Sequence, residues 1–436
     1  MSKHIHEIRD PIHVFVRLDS DERAVLDSRP FQRLRHIHQL ALTYLLYPAA
    51  THKRFEHSLG VMELSGRVFD VITYAANVTD EMRQGVPEVS QPNQIQYWRR
   101  VLRMAALCHD IGHLPFSHAA EKELLPDGWD HERLTRELIL SEEMKCIWSA
   151  MTPPVRPDDV VKLAVGPRKA SDLKFSTWET ILSEVIVGDA FGVDRIDYLL
   201  RDSHHTGVAY GRFDHFRLID TLRIMPPEQG DSRQLTLGVE EGGLHSAEAL
   251  LLARYYMYSQ VYFHPIRRIY DIHLKDFLVC DLPDGKFPID LESHLQRTDN
   301  EVNACILAAA SQANRPGHDA ARRIVGHKHY KVFYQRHPDD VRVNPEAGRA
   351  VFEAACGKFG AENVRIDSYT QKREPVLFPV QRKDGSVVTA YKLSEVLQHL
   401  PVVAVDFVFI KPDLLDVATA WLREERERII QVPKEQ

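Results

Sequence analysis

The chain of 436 residues has no apolar run near the ~20 residues that a membrane-spanning helix needs. Its opening residues, Met1-Ser2-Lys3-His4-Ile5-His6, lack the apolar core of a signal peptide, so a cytoplasmic protein with no membrane partner is expected. Cysteine is sparse and scattered: Cys108, Cys146, Cys280, Cys305 and Cys356 are odd in number and never fall in a CxxC spacing. That pattern argues against a disulfide framework and against a zinc ribbon. There is no internal repeat, no low-complexity tract and no Gly-rich P-loop, so a bound phosphate must be held by metal and basic side chains. An excess of positive charge is missing too: 55 Lys and Arg face 62 Asp and Glu, a net charge of −7 with His neutral. Nucleic acid is therefore not expected as the main ligand. A hydrophobic content of 44% is ordinary for a globular protein, and the length suits one large domain plus a smaller one.

What the chain does have is one dense stretch, Leu107-Cys108-His109-Asp110-Ile111-Gly112-His113-Leu114-Pro115-Phe116-Ser117-His118. The apolar residues from Val101 to Leu107 predict that His109 and Asp110 end a buried helix. A buried ion is costly unless paired, and a divalent cation is the simplest partner for an adjacent imidazole and carboxylate. A histidine satisfied inside a core is the plainer account of one such residue. His-Asp followed by two more histidines favours a metal site. Two other stretches offer ligands, Arg54-Phe55-Glu56-His57-Ser58-Leu59-Gly60-Val61 and the segment from Asp189 to Asp202. His57, His109, Asp110 and Asp194 would make a site of two imidazoles and two carboxylates. Such a mixed set suits Fe, Mn, Zn, Co or Ni and leaves positions for water or substrate. Arg54, one turn before His57, can clamp a phosphate. His131, with Glu132 beside it, can act as an oriented imidazole.

The order H…HD…D resembles the HD-domain metal-dependent phosphohydrolases. Longer strings narrow the resemblance: Phe31-Gln32-Arg33-Leu34-Arg35, Gln39-Leu40, Arg54 through Val61, Cys108-His109-Asp110, Pro115-Phe116-Ser117-His118, His131-Glu132, and Asp194 through Tyr198, Asp202, His204 and His205. Together they are similar to the deoxynucleoside triphosphate triphosphohydrolases, which include dGTPase-like enzymes and the mammalian SAM-and-HD-domain enzyme. The match covers roughly residues 1–275 well. It implies hydrolysis of a dNTP to deoxynucleoside and triphosphate, with Mg or Mn on the substrate phosphates. It also implies a homo-oligomer, dimer or tetramer. By the same resemblance His113, His118 and His131 stand near the α-phosphate, and Glu121 stands where the mammalian enzyme has Asp. Gln39, Tyr198 and Asp202 match residues that bond the ribose 3′-hydroxyl. Leu40 and Tyr198 match a wall that excludes a 2′-hydroxyl, and Tyr270 falls in a pocket-lining segment. Asp27, Gln32, Arg35 and Lys331 match an activating-nucleotide site, where His6 and Arg9 replace the family's upstream basic residues. As residues alone, Asp27 could cap a helix, Arg35 could make an ion pair, and Arg195 and Asp197 could be surface charges. Two other readings stay open: another HD phosphohydrolase acting on mononucleotides or signalling nucleotides, and a nucleotide-sensing or nucleic-acid-binding oligomer.

The expected fold is mainly α, an HD-domain helical core over residues 1–327 with short hairpins, followed by a small α/β subdomain over residues 328–436. An extended arm or hairpin is expected over residues 3–18, and Asp19 to Arg23 should cap a helix through Leu26. A helix is expected to run from Pro30 through Ala41. Others should cover 51–78, 98–113, 177–188 and Asp194 to Ser203. The prolines of residues 152–172 predict a loop. Thr221–Met225 and Gln234–Glu240 read as a hairpin, and Ser246 to Phe277 as one long helix. Strands are expected near 364–369, 376–380, 387–391 and 402–410, and a helix over Pro412 to Arg428.

Overall fold

The computed structural model describes residues 4–117, 121–228, 235–370 and 377–431. Most of them are helical, as expected. They form two compact units, each discontinuous in sequence. The first comprises Met1–Met257, Phe287–Glu301 and Pro375–Leu400, and the second Tyr258–Lys286, Val302–Glu374 and Pro401–Gln436. A single boundary at residues 327/328 does not describe this division.

The first unit is a helical bundle. Helix Arg54–Ile72 buries Phe55, Leu59, Met62, Leu64, Val68 and Phe69, an apolar set that goes almost round the helix. A helix apolar on nearly all sides belongs at the centre of a bundle. It packs against helices Pro92–Cys108 and Val193–Thr206. Helix Pro92–Cys108 starts several residues earlier than expected, with Pro92 at its first position, and Trp98 through Cys108 are buried apart from Arg99. Residues expected as a loop contain helix Pro157–Lys169. Pro157 is its first residue, where a missing N–H costs nothing, so this proline starts structure instead of breaking it.

The expected helix from Pro30 to Ala41 is also corrected. A short helix, Arg29–Gln32, passes into a 3-10 turn, Arg33–His36, and Ile37 is extended. The backbone there bonds a distant strand of chain: the Arg54 N–H donates to the Ile37 carbonyl and the Gln39 N–H to the His52 carbonyl, both at 3.0 Å. The amphipathic spacing is real, but these long-range bonds replace the helical ones. At the N-terminus the arm is a two-stranded antiparallel hairpin, Ile5–Asp10 with Val14–Asp19, and Asp19 caps helix Ser20–Leu26.

A four-stranded sheet completes the first unit. Leu222–Met225 pairs antiparallel with Thr236–Glu240, as the hairpin reading requires. Thr236–Glu240 then pairs parallel with Pro379–Gln381, which pairs with Val387–Thr389. Two strands expected in the C-terminal subdomain therefore belong to the first unit.

In the second unit, strands Lys331–Gln335, Ala404–Ile410 and Val364–Thr370 form an antiparallel sheet. The two-residue period sorts its central strand: Val408 packs with Val351, Ala355 and Leu422, while Phe407 and Phe409 pack with Ile269 and Tyr330. The long tyrosine-rich stretch is divided into Leu244–Met257, a π-turn at Tyr258–Tyr262, and Pro265–Asp281, where Pro265 opens the last helix.

Candidate metal centre

His57 lies in the first turn of helix Arg54–Ile72, which Glu56 caps by accepting from the Lys53 N–H at 2.7 Å. His109 is the C-cap of helix Pro92–Cys108, Asp110 is the next residue, and Asp194 sits in the first turn of helix Val193–Thr206. The bundle brings these helix ends together. One ligand atom each of His57, His109 and Asp110 lies within 4.8 Å of the others. Asp194 joins them, its Oδ1 3.0 Å from His57 Nε2 and 3.5 Å from His109 Nε2.

The ring nitrogens have divided roles. His109 Nδ1 donates to the Ala106 carbonyl at 2.8 Å, which leaves the Nε2 lone pair facing Asp110 and Asp194. That Nε2 is buried and has no hydrogen-bond partner among the described residues. His57 Nδ1 donates to Asp197 Oδ2 at 2.8 Å, so its Nε2 also faces the carboxylates. Metal-ligating histidines characteristically spend their second nitrogen in this way. Burial pushes the His57 pKa down, but its bonds to Asp194 and Asp197 outweigh burial and raise it to about 10. Burial pushes Asp110 and Asp194 up, yet their cationic and imidazole neighbours hold both carboxyls well below the usual range. Two imidazoles thus converge on two carboxylates that are ionised at neutral pH. This donor set fits a divalent cation, with His57, His109, Asp110 and Asp194 to hold it.

Around the four lie the other expected residues. Arg54 donates through Nη1 to Asp110 Oδ2 and through Nε to Ser117 Oγ at 2.8 Å. Ser117 and Phe116 both have positive φ, 57°, and Asp299 Oδ1 accepts the Phe116 N–H at 2.7 Å. His113 Nε2 is 3.2 Å from Asp110 Oδ1, and its ring lies over that of His131 with centroids 4.0 Å apart. Gly112 permits this stacking, because a Cβ there would stand 2.3 Å from the His131 carbonyl oxygen. The carboxylate expected on His131 is that of Glu132, at 3.3 Å from Nδ1; Glu121 is nearer, at 2.7 Å, and also accepts the His131 N–H. Burial lowers the His131 pKa, and Glu121, with Glu132 and Asp110, more than reverses it; burial and the nearby Arg54 keep His113 well below its ordinary value. His118 lies outside the described residues.

Of the residues expected to touch the sugar, Gln39 and Asp202 both meet His52. The Gln39 N–H bonds the His52 carbonyl, and His52 Nε2 is 2.7 Å from Asp202 Oδ1. Leu40 is buried, and Tyr198 lies one turn after Asp194 on the same helix. Tyr270 and Lys331 belong to the second unit, where the Tyr270 hydroxyl is 3.3 Å from His327 Nδ1 and Lys331 Nζ is 3.2 Å from His329 Nε2. Asp27 is exposed and accepts from Arg23 Nε at 3.1 Å. Gln32 donates to the Leu26 carbonyl and accepts from Arg35 Nε, and the Arg35 guanidinium stacks on Phe55 at 3.5 Å.

Several polar partners escape a reading of the sequence. Asp197 is fully buried, so it is no surface charge. Arg195 is also mostly covered and donates to the Asp189 and Gly188 carbonyls. Ser117 sits inside a legible string and His52 just before one, but nothing in their spacing marks them out.

Known proteins resemble the chain over the same segments. The HD domain matches residues 54–172, which contain three of the four converging ligands, and the HD associated region matches residues 213–356. A hypothetical protein from Aquifex aeolicus, known from its crystal structure, is 30% identical, with a TM-score of 0.76 over 96% of this chain and 100% of that one. The uncharacterized protein MJ1154 of Methanocaldococcus jannaschii is 34% identical over 65% of this chain and 51% of its own length. The deoxynucleoside triphosphate triphosphohydrolase SAMHD1 of Homo sapiens is 29% identical over 67% of this chain and 49% of its own. The chain spans about half the length of these curated relatives. Among the described residues no helix is long and apolar enough to cross a membrane. From its converging His-His-Asp-Asp side chains and these matches, the chain belongs to the HD-domain family, with the SAMHD1 triphosphohydrolases among its relatives.

Proposed function

We propose that the protein is a metal-dependent phosphohydrolase that converts a dNTP and water to deoxynucleoside and triphosphate. The observation that carries this reading is the group assembled beside the four candidate ligands: Arg54 on Asp110, and His113 stacked on the Glu121-bound His131. Phosphate-ester hydrolysis needs a charge clamp, a placed proton donor and an aligned nucleophile, and these residue types supply the first two. A divalent cation held by His57, His109, Asp110 and Asp194 supplies Lewis-acid chemistry and makes water more acidic. In the reaction, water adds to the α-phosphorus, the bond from phosphorus to the 5′-oxygen breaks, and that oxygen takes up a proton. Arg54 neutralises phosphate charge. His131, its ring held by Glu121, is assigned as the proton donor. Gln39, Asp202 and Tyr198 take the 3′-hydroxyl, and Leu40 with Tyr198 closes the space that a 2′-hydroxyl needs.

The resident ion is one of Fe, Mn, Zn, Co or Ni, with Mg or Mn on the substrate phosphates, and the working form is a homo-oligomer. The test is a hydrolysis screen of the four dNTPs and the four NTPs with Mn, Mg, Fe and Co, with the phosphorus products identified. Release of triphosphate from dNTPs, with NTPs cleaved far more slowly, is the expected result. Release of inorganic phosphate or pyrophosphate would move the reading to another HD phosphohydrolase. Equal rates on dGTP and GTP would remove the roles given to Leu40 and Tyr198.

A further inference from the structure

The N-terminal hairpin ends its first strand at Asp10, and its turn carries His13. Both side chains are buried, at 3% and 4% exposure, although most of the hairpin's other residues are exposed. His13 Nε2 is 2.6 Å from Asp197 Oδ1. The other oxygen of that carboxylate, Oδ2, accepts from His57 Nδ1. Asp197 is thus held between the hairpin turn on one side and a candidate metal ligand on the other. Arg201, one turn later on the same helix, closes the arrangement: Nε and Nη2 donate to the two Asp197 oxygens at 2.8 and 3.0 Å, and Nη1 donates to Asp10 Oδ2 at 2.9 Å. Asp10 Oδ1 accepts the Ile12 and His13 N–H groups, both at 2.8 Å, which fixes the turn that carries the imidazole.

Two observations separate this arrangement from ordinary buried packing. The second ring nitrogen of His13, Nδ1, is buried with no hydrogen-bond partner among the described residues. An imidazole buried with one nitrogen unsatisfied is a poor way to gain stability, since an unpaired buried polar atom is costly. Among the described residues its side-chain hydrogen bond goes to Asp197. In addition, Gly60, one turn after His57, leaves the space that the carboxylate occupies. A Cβ at residue 60 would stand 1.9 Å from Asp197 Oδ1 and 2.6 Å from Arg201 Nη2.

We infer that His13 is a positioning residue of the metal centre: with Asp10 and Arg201 it holds Asp197 in place, and Asp197 sets the tautomer and orientation of His57. The inference rests on the proposed metal site. It adds that the hairpin turn, far away in sequence, is part of that site's outer layer. A carboxylate that accepts from a ligating histidine raises the ligand's basicity and fixes its ring, and loss of such a partner typically weakens metal binding about 10–100-fold.

The test is titration of the metal-stripped full-length protein with Co(II), read by calorimetry and by the cobalt absorption spectrum. Wild type should bind the ion and His57→Ala should not; failure of wild type to bind would overturn the metal reading itself. His13→Ala should bind about 10–100-fold more weakly with an altered cobalt spectrum. His13→Gln, which restores a donor at the reach of Nε2, should recover much of the affinity. Glu7→Ala, on the exposed part of the hairpin, should bind as wild type does. Gly60→Ala displaces the same carboxylate and should mimic His13→Ala with His13 intact, so it decides the matter if His13→Ala does not fold. Wild-type affinity and spectrum in a folded His13→Ala or in Gly60→Ala would overturn the inference.

Discussion

The Arg54 guanidinium donates to the carboxylate of Asp110, so the cation one turn before His57 is paired with the aspartate that follows His109. Both side chains are buried. Asp110→Ala therefore removes a ligand and also leaves a buried cation without its carboxylate. The variant should lose bound metal, and the metal-free protein should lose about 3–5 kcal/mol of stability. Arg54→Met combined with Asp110→Leu should recover much of the stability but none of the metal. Urea unfolding with metal analysis checks both, and unchanged stability in the single variant would contradict the pairing.

Glu121 and His131 act as one unit in the proposed chemistry. His131→Gln should lower kcat about 10²–10⁴-fold, and Glu121→Gln should lower it in the same direction. Neither residue is assigned to the metal, so metal content should not change. Parallel measurement of turnover and bound metal separates this role from a ligand role. Full turnover in both variants would reassign the proton donor.

In the second unit His273 accepts the Tyr330 N–H at Nε2, 3.2 Å away, inside the fold. Burial, with Arg323, Arg365 and His329 nearby, pushes its pKa from 6.5 down to about 3. The folded state thus binds its proton at lower pH than the unfolded chain does. The stability tied to the neutral ring is fully present above pH 6.5 and is lost as pH falls toward about 3. The slope from this group is at most about 1.4 kcal/mol per pH unit. His273→Gln keeps an acceptor that does not protonate, so its deficit against wild type should shrink between pH 7 and 4.5. Urea midpoints across that range test this, and parallel pH curves would exclude it.

Arg35 stacks on Phe55, two residues before His57, and bonds Gln32. If Asp27, Gln32 and Arg35 read a guanine, that stack links the reader to the His57 helix. Added GTP or dGTP should then speed dATP hydrolysis and shift the assembly state. Asp27→Ala with Arg35→Ala should abolish the stimulation and keep the metal. Rates and sedimentation that do not respond to guanine nucleotide in wild type would end the regulatory reading.

The site was legible in the sequence where chemistry is tied to residue type and local spacing. An adjacent His and Asp at the end of an apolar helix, and a His and an Asp each in the first turn of another helix, can be picked out without coordinates, because few other pairings suit a buried cation. The helices themselves follow from apolar periodicity, and the hairpin at 222–240 from its alternating strands and turn residues. Partners chosen by packing were not legible. His13 and Asp197 are 184 residues apart, and each alone reads as an ordinary polar residue; the bundle decides that they meet. From the sequence Glu132, the next residue, reads as the partner of His131, whereas the fold brings Glu121, ten residues away, nearer to its ring. Strand Pro379–Gln381 reads as part of a C-terminal sheet until its parallel register with Thr236–Glu240 places it in the first unit. Pro157 reads as a break until its helix is seen to begin on it. Local sequence sets which residues can ligate and which segments can coil. Long-range contacts, which depend on how close two backbones approach and on which buried polar atoms must be paired, decide what stands next to them.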